Sequence, residues 1–336
     1  MKLNKVIIIA EVGVNHNGNF SDAKKIVKNA SLAGADFAKF QLYKTEELLL
    51  KSTPLAKYQK KKKNILSQFS LLKKYEIDEI FIKKMKKHCN NLKIKMLVTP
   101  FDIKSFQILI KNKFKFIKIS STDLNNHQLL GYISKYNLKI FLSTGMSSTR
   151  EIKSAIKILT RGKIKLRNII LLQCTTSYPA RINDTNLKAM INFKKIFRTE
   201  YGFSDHTVGN TASIAAVALG AKVIEKHITL NKNSSGPDHS SSLNKIEFIN
   251  FVKQIKNAEK SVGEKFKIMT TSEVSNSLVI RKSIVAIKNI KKGDIFSIEN
   301  ISCKRPNFGI SADQWEKVIG KRAKFNFQKD EFIRLK

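Results

Sequence analysis

The chain has 336 residues, 42% of them hydrophobic, enough for one large domain with a small companion. A formal net charge of +37 would suggest a nucleic-acid partner. Most of the 63 basic residues are Lys, however, used together with much Ile, Asn and Phe, a bias that loads Lys onto helix surfaces and argues against a nucleic-acid partner. No apolar run reaches the roughly 18 residues that span a bilayer, so no membrane segment is expected, and Cys89, Cys174 and Cys303 lack the close spacing of a zinc motif or disulfide framework, which fits a reducing cytoplasm.

From the N-terminus, Val6–Ala10 is an apolar run cut short by Glu11, so it reads as a first strand and not as a signal peptide. Further strands are expected at Phe37–Phe40, Lys95–Val98, Phe114–Ile119, Ile140–Leu142, Ile169–Leu172, Tyr201–Phe203 and Lys222–Ile224. Segments with apolar residues three and four apart lie between them, such as "IDEIFIKKMKKHC", "TREIKSAIKILT" and "KIEFINFVKQIKNAEKSV". Ser21 and Thr149 are the expected N-caps, and Gly34 and Gly220 the expected helix stops. The run 57–64, "KYQKKKKN", is the densest basic cluster and reads as a solvated face.

Eight strands alternating with helices over about 260 residues predict an α/β fold of the (β/α)8 barrel type, a TIM barrel. An open doubly wound sheet is the rival, but no Gly-x-Gly-x-x-Gly follows the first strand. The rhythm stops in the polar segment 261–278, expected to be a linker between a 1–260 barrel and a β-rich domain over 279–336.

In a parallel barrel the chemistry gathers at the C-terminal strand ends. Those ends carry Glu11; Lys39 and Gln41, two apart and so on one face; Thr99; Lys118, Ser121 and Asp123; and Ser143. The later ends read "QCTTSYP", "SDH" and "EKH". Lys39 and Lys118 on separate strands, with hydroxyl donors Thr99, Ser121, Ser143 and Ser204, form a candidate phosphate or carboxylate cradle. His206 and His227 end adjacent strands and are candidate ligands for a divalent metal. His16, in "NHNG", suits a turn equally well, and Cys174 reads as a packed strand residue without a partner base.

The ordered set "AEVGVNHNG", "GADFAKFQ", "TPFD", "LSTGMSS", "YGFSDHTVGN", "AAVALGAKVIEKHITL", "GPDHSSS" and "KRPNFGIS" resembles the sialic acid synthase family over nearly the whole chain. The resemblance implies a TIM barrel followed by an antifreeze-like (SAF) domain, β-clip-like in form. It implies condensation of phosphoenolpyruvate with an N-acetylated aldose to a nine-carbon 2-keto sugar acid. N-acetylneuraminate is the expected product; N,N'-diacetyllegionaminate is the alternative and pseudaminate a weaker one. A polyanion- or glycan-binding protein is the reading from another class.

Carried over by motif, Lys39, Thr99, Lys118, Ser121, Ser143 and Ser204 would hold phosphoenolpyruvate. His206 and His227 would bind manganese or magnesium, with Glu11 beside the metal and the reacting carbons. Gln41, Asp123, Tyr178 and Asp238 would contact the sugar. Arg305 would bind its acyl group from the partner in a domain-swapped homodimer. Gln173, Thr122 and Asn307 depart from the family's usual residues, on the side expected to meet the sugar.

Overall fold

The computed structural model describes residues 5–55 and 67–336, so the basic run 57–64 lies outside the described residues. Two units are present, Met1–Gly263 and Glu264–Lys336. In chain order the first unit contains β1 (Ile7–Gly13), α1 (Phe20–Ala33), β2 (Phe37–Leu42), α2 (Thr45–Leu48), α3 (Gln68–Lys73), α4 (Glu79–Asn91), β3 (Lys95–Pro100), α5 (Ile103–Lys111) and β4 (Phe116–Ile119). It continues with α6 (His127–Ser134), β5 (Lys139–Ser143), α7 (Thr149–Thr160), β6 (Ile169–Cys174), α8 (Lys188–Phe197), β7 (Glu200–Asp205), α9 (Thr211–Ala218), β8 (Val223–His227) and α10 (Lys245–Val262).

The hydrogen-bonded strand order is β3-β2-β1-β8-β7-β6-β5-β4, and every ladder is parallel. β3 and β4 pack side by side and bring the sheet round into a TIM barrel. All eight expected strands form, most of them a residue or two longer than the apolar runs alone suggest. The extension is polar: β1 runs past Glu11, β7 to Asp205 and β8 to His227. These polar ends are buried, because they turn into the barrel mouth or under the helices instead of into water.

Strand periodicity sorts the side chains into two layers. Outward residues such as Ile8, Ala10, Ala38, Phe40 and Leu142 join the helices in the main core. Inward residues Ile7, Ile9, Phe37, Leu97, Phe141, Ile170, Leu172 and Val223 fill the barrel interior. Burying a side chain of this size contributes about 1.5–3 kcal/mol each. Two residues further along the same inward faces come Glu11, Lys39, Thr99, Ser143, Cys174 and Glu225, so an apolar floor gives way to a polar mouth.

The helix caps differ in detail from expectation. α1 is capped by Asn19, whose side chain accepts from Asp22 N–H, not by Ser21. α7 is capped by Ser148 in a reciprocal box with Glu151, not by Thr149. Gly34 does close α1, with φ 89°, the left-handed geometry that a residue without Cβ adopts freely.

In the second unit, α11 (Thr271–Ile280) precedes the antiparallel pair β9 (Ser283–Ala286) and β10 (Ile301–Lys304) and the short α12 (Trp315–Val318). Ile284, Ile290, Phe296, Ile301, Phe327 and Ile333 form its core. The segment expected to be linker thus contains a helix. Thr270 N–H donates to Glu273 Oε2 at 2.7 Å, a Thr-x-x-Glu start signal that polar composition concealed. Among the described residues no helix is long and apolar enough to cross a membrane.

Candidate active site

Thirteen of the fourteen candidate side chains line one cavity of about 490 Å³ at the C-terminal mouth of the barrel. They are the anion set Lys39, Thr99, Lys118, Ser121, Ser143 and Ser204, the acid Glu11, the pair His206 and His227, and Gln41, Asp123, Tyr178 and Asp238. The fourteenth, Arg305, belongs to the second unit, where it is exposed directly after β10.

The two lysines do not face the cavity as bare cations. Lys39 Nζ lies 3.2 Å from Glu11 Oε1 and 3.4 Å from Glu225 Oε1. Lys118 Nζ lies 3.4 Å from Glu225 Oε2. Lys39 also donates to Thr99 Oγ1 at 3.3 Å, and Ser204 Oγ donates to Glu225 Oε1 at 3.1 Å. Glu225, which the sequence marks only as a polar residue at the end of its strand and to which it gives no role, is therefore the hub of the lattice. Its position two residues before His227 on a strand was the available signal, since both must share one face.

These charges shift one another. Burial pushes Glu225 up, but Lys118 and Lys39 overcome it and hold its carboxyl down at about 2. Burial also raises Glu11, and Lys39 only partly offsets it, so this carboxyl stays above the ordinary range. Lys118 is pulled below the usual lysine value by burial despite Glu225. Lys39 is held above that value, because Glu11 and Glu225 together outweigh its burial. Among the described residues Ser143 Oγ and Glu11 Oε2 are buried with no hydrogen-bond partner, which leaves a donor and an acceptor on two residues that line the cavity.

His206 and His227 meet beside this lattice with ring centroids 5.7 Å apart, and Tyr178 packs on His206 at 4.2 Å. His206 Nδ1–H donates to Thr175 O at 2.7 Å, which leaves Nε2 as the lone-pair nitrogen. Among the described residues His227 Nδ1 is buried without a hydrogen-bond partner, and Asp238 Oδ2 is 3.8 Å away, too far for one. Burial lowers His206 to about 4 and His227 to about 3, so both rings are neutral near pH 7. Two neutral imidazoles with an orphaned nitrogen and a neighbouring carboxyl fit a divalent cation. Among the described residues no three His, Cys, Asp or Glu side chains form a complete cage, so a cation there would draw further ligands from bound molecules or water.

The remaining wall is mixed. Gln41 Nε2 donates to Glu11 Oε1 at 3.1 Å. Asp123 accepts from Asn126 at 3.1 Å, and burial lifts its carboxyl to about 6. Burial, with the Glu11 charge, lifts Asp238 to about 7. The cavity is also lined by Val14, Tyr43, Leu48, Leu49, Leu72 and Phe101, an apolar share that the strand pattern did not indicate.

Thr122 lines the cavity, as its departure from pattern suggested. Gln173 does not. It points outward and donates to Thr185 O at 3.1 Å, while its neighbour Cys174 faces in, so the expectation that Gln173 touches the sugar side is corrected by strand alternation. Asn307 belongs to the second unit. Cys174 is buried and its thiol pushed up, consistent with a packed residue. His16 stays in its turn, accepting from Gly18 N–H at 3.0 Å and packing on Phe81.

The sequence profile of the NeuB family matches residues 26–267, and that of the SAF domain matches residues 281–336. The N,N'-diacetyllegionaminic acid synthase of Campylobacter jejuni is 45% identical over 99% of this chain and 100% of its own length. The enzyme of the same name from Legionella pneumophila is 36% identical over 95% of this chain and 90% of its own. Among solved structures, the N-acetylneuraminic acid (sialic acid) synthetase from Leptospira borgpetersenii, in complex with citrate, superposes with a TM-score of 0.72 at 31% identity, covering 81% of this chain and 90% of its own.

Proposed function

Because the chain belongs to the NeuB family and ends in an SAF domain, we propose that it condenses phosphoenolpyruvate with an acetamido aldose, releasing phosphate and a nine-carbon 2-keto sugar acid. The observation that carries this reading is the single cavity in which two buried lysines and four hydroxyls adjoin two neutral imidazoles.

Phosphoenolpyruvate brings nearly three negative charges, and charge-assisted hydrogen bonds from Lys39, Lys118 and the hydroxyls of Thr99, Ser121, Ser143 and Ser204 offset its desolvation. Held there, its C3 forms a bond to the aldehyde carbon of the sugar as the carbonyl π bond breaks; the sugar oxygen takes up a proton to become a hydroxyl, and C2 becomes electron-poor. Glu11 and Glu225, which flank Lys39 in the same cavity, would stabilise that developing positive charge. A water oxygen bonds to C2 and passes a proton to Glu11, whose raised carboxyl is a stronger base than a free glutamate. The C2 hydroxyl then loses its proton as the bond from C2 to the phosphate oxygen breaks, leaving the ketone and inorganic phosphate, which carries that proton away. His206 and His227 would hold a divalent cation, which when bound supplies Lewis-acid polarisation of the sugar carbonyl. Arg305, from the SAF domain of a second copy, would hold the sugar's acyl group.

For the acceptor, we favour a 2,4-diacetamido-trideoxy sugar over N-acetylmannosamine. The apolar wall of Tyr43, Leu48, Leu49, Leu72 and Phe101 suits a deoxy methyl and a second acetyl methyl better than hydroxyls, and the two legionaminate synthases support the same choice. Competition between the two sugars tests it. A kcat/KM at least ~10-fold higher for the diacetamido sugar is expected, on the scale of one or two buried methyl groups. A preference for N-acetylmannosamine would reverse the assignment.

A further inference from the structure

The stretch Glu225, Lys226, His227 contains one charge that the cavity does not use. Glu225 and His227 face the barrel mouth, so Lys226 faces the opposite way, into the layer beneath the helices, and is 1% exposed. There Lys226 Nζ lies 2.9 Å from Asp205 Oδ2 and donates to Thr207 O at 2.6 Å. Asp205 is also 1% exposed. Its Oδ1 accepts from Thr207 N–H and Thr207 Oγ1–H, both at 2.8 Å, and its Oδ2 from Ser213 Oγ–H on α9 at 2.6 Å.

A buried ion pair is not by itself an argument for stability, since well-packed apolar residues at such a place are commonly as stable. The position of this ion pair suggests what is gained. β7 and β8 are in parallel register with Asp205 opposite Lys226, so the next residues up each strand are His206 and His227. Lys226 grips the residue before His206 and the residue after it, while itself preceding His227. The β7–β8 ladder ends at the Asp205–Lys226 pair, so past that point backbone pairing no longer fixes the distance between the two strand ends. Ser213 extends the tie to the first turn of α9.

We infer that Lys226 and Asp205 form a buried brace that sets the separation and aim of the two imidazoles, and so act as positioning residues for a divalent cation. The inference rests on the proposal that His206 and His227 hold that cation. Neither brace residue lines the cavity, so their effect on the site would pass through the two histidines that do.

The test is the affinity of the purified full-length protein for Mn²⁺ alone, read as free Mn²⁺ by electron paramagnetic resonance, with phosphoenolpyruvate affinity measured separately in chelator. Lys226→Met should weaken Mn²⁺ binding by about 10-fold or more, the scale seen when groups that orient ligating histidines are removed. Phosphoenolpyruvate affinity should stay within about twofold, because Lys39, Lys118 and the hydroxyls are untouched. A purely structural role would instead lower the melting temperature and leave Mn²⁺ affinity of the folded protein unchanged, and that result overturns the brace. Asp205→Asn combined with Lys226→Met removes both charges together, so it gives the same reading where the single variant fails to fold. His206→Ala and His227→Ala serve as the control. If both retain wild-type Mn²⁺ affinity, the metal assignment falls and the brace with it. If they lose it and Lys226→Met does not, only the brace falls.

Discussion

Replacing Glu225 by Gln isolates the electrostatic core of the site. The carboxylate stands 3.4 Å from both Lys39 and Lys118. At an effective dielectric constant near 20, a unit pair at that distance attracts by about 5 kcal/mol gross. Removing one member of a buried pair destabilises by about 3–5 kcal/mol net, because a charge is left without its partner. Glu11 continues to face Lys39 but leaves Lys118 facing an amide, so the lower part of that range is expected, about 3 kcal/mol. The variant also changes the charge of the site by one positive unit, so an anionic ligand should compensate. Urea unfolding with and without phosphoenolpyruvate measures both effects. The expected outcome is a lower stability without ligand and a larger ligand-induced stabilisation than in wild type. Unfolding free energy within about 1 kcal/mol of wild type, with no extra stabilisation by phosphoenolpyruvate, would refute the reasoning.

Glu11→Gln should keep phosphoenolpyruvate binding while turnover drops at least ~100-fold, and near-normal turnover excludes the proton-accepting role. Gly145→Ala would place a Cβ 2.4 Å from Thr176 Oγ1 and 2.8 Å from Cys174 Sγ. Displacement of that wall should lower kcat/KM roughly 100-fold, and unchanged kinetics would show that the wall yields freely. His16 is a clean reporter of pH. Unfolded, it takes a proton near pH 6.5, whereas burial holds the folded ring at about 4. The unfolded state therefore binds more protons between those values, and the stability that the neutral ring contributes is lost as pH falls. Relative to His16→Asn, wild type should lose about 2 kcal/mol between about pH 7 and pH 5. A difference that does not move with pH would contradict the burial argument.

Much of the site is legible because a strand alternates strictly. Once Ile9 and Phe37 are placed inside a barrel, Glu11 and Lys39 have nowhere to point but the same interior. The same rule places Glu225 beside His227 in "EKH", but the convergence of both lysines on its carboxylate depends on the closed barrel and is not written in the strand itself. It also shows why Lys226, between them, belongs to a different layer. The apolar wall was not legible, since Leu48, Leu49 and Leu72 come from or border the short helices α2 and α3, whose place over the mouth depends on tertiary packing. Part of that placement comes from Glu76, which accepts from Thr45 N–H at 3.1 Å and from Lys44 at 2.9 Å, a contact spanning more than thirty residues of sequence. The cap errors at Ser21 and Thr149 have a local cause. Asn, Ser and Thr crowd each helix start, and only the backbone geometry selects the one that accepts the N–H.

This cavity is proposed to join an enol phosphate to an acetamido sugar. Inorganic phosphate and 2-keto acid measured together in one reaction test it most directly. With phosphoenolpyruvate, a divalent cation and the diacetamido sugar all present, the two should appear in equal amounts, and omission of any component should stop both. Phosphate release that does not depend on a sugar, or none with any acetamido sugar offered, would contradict the account.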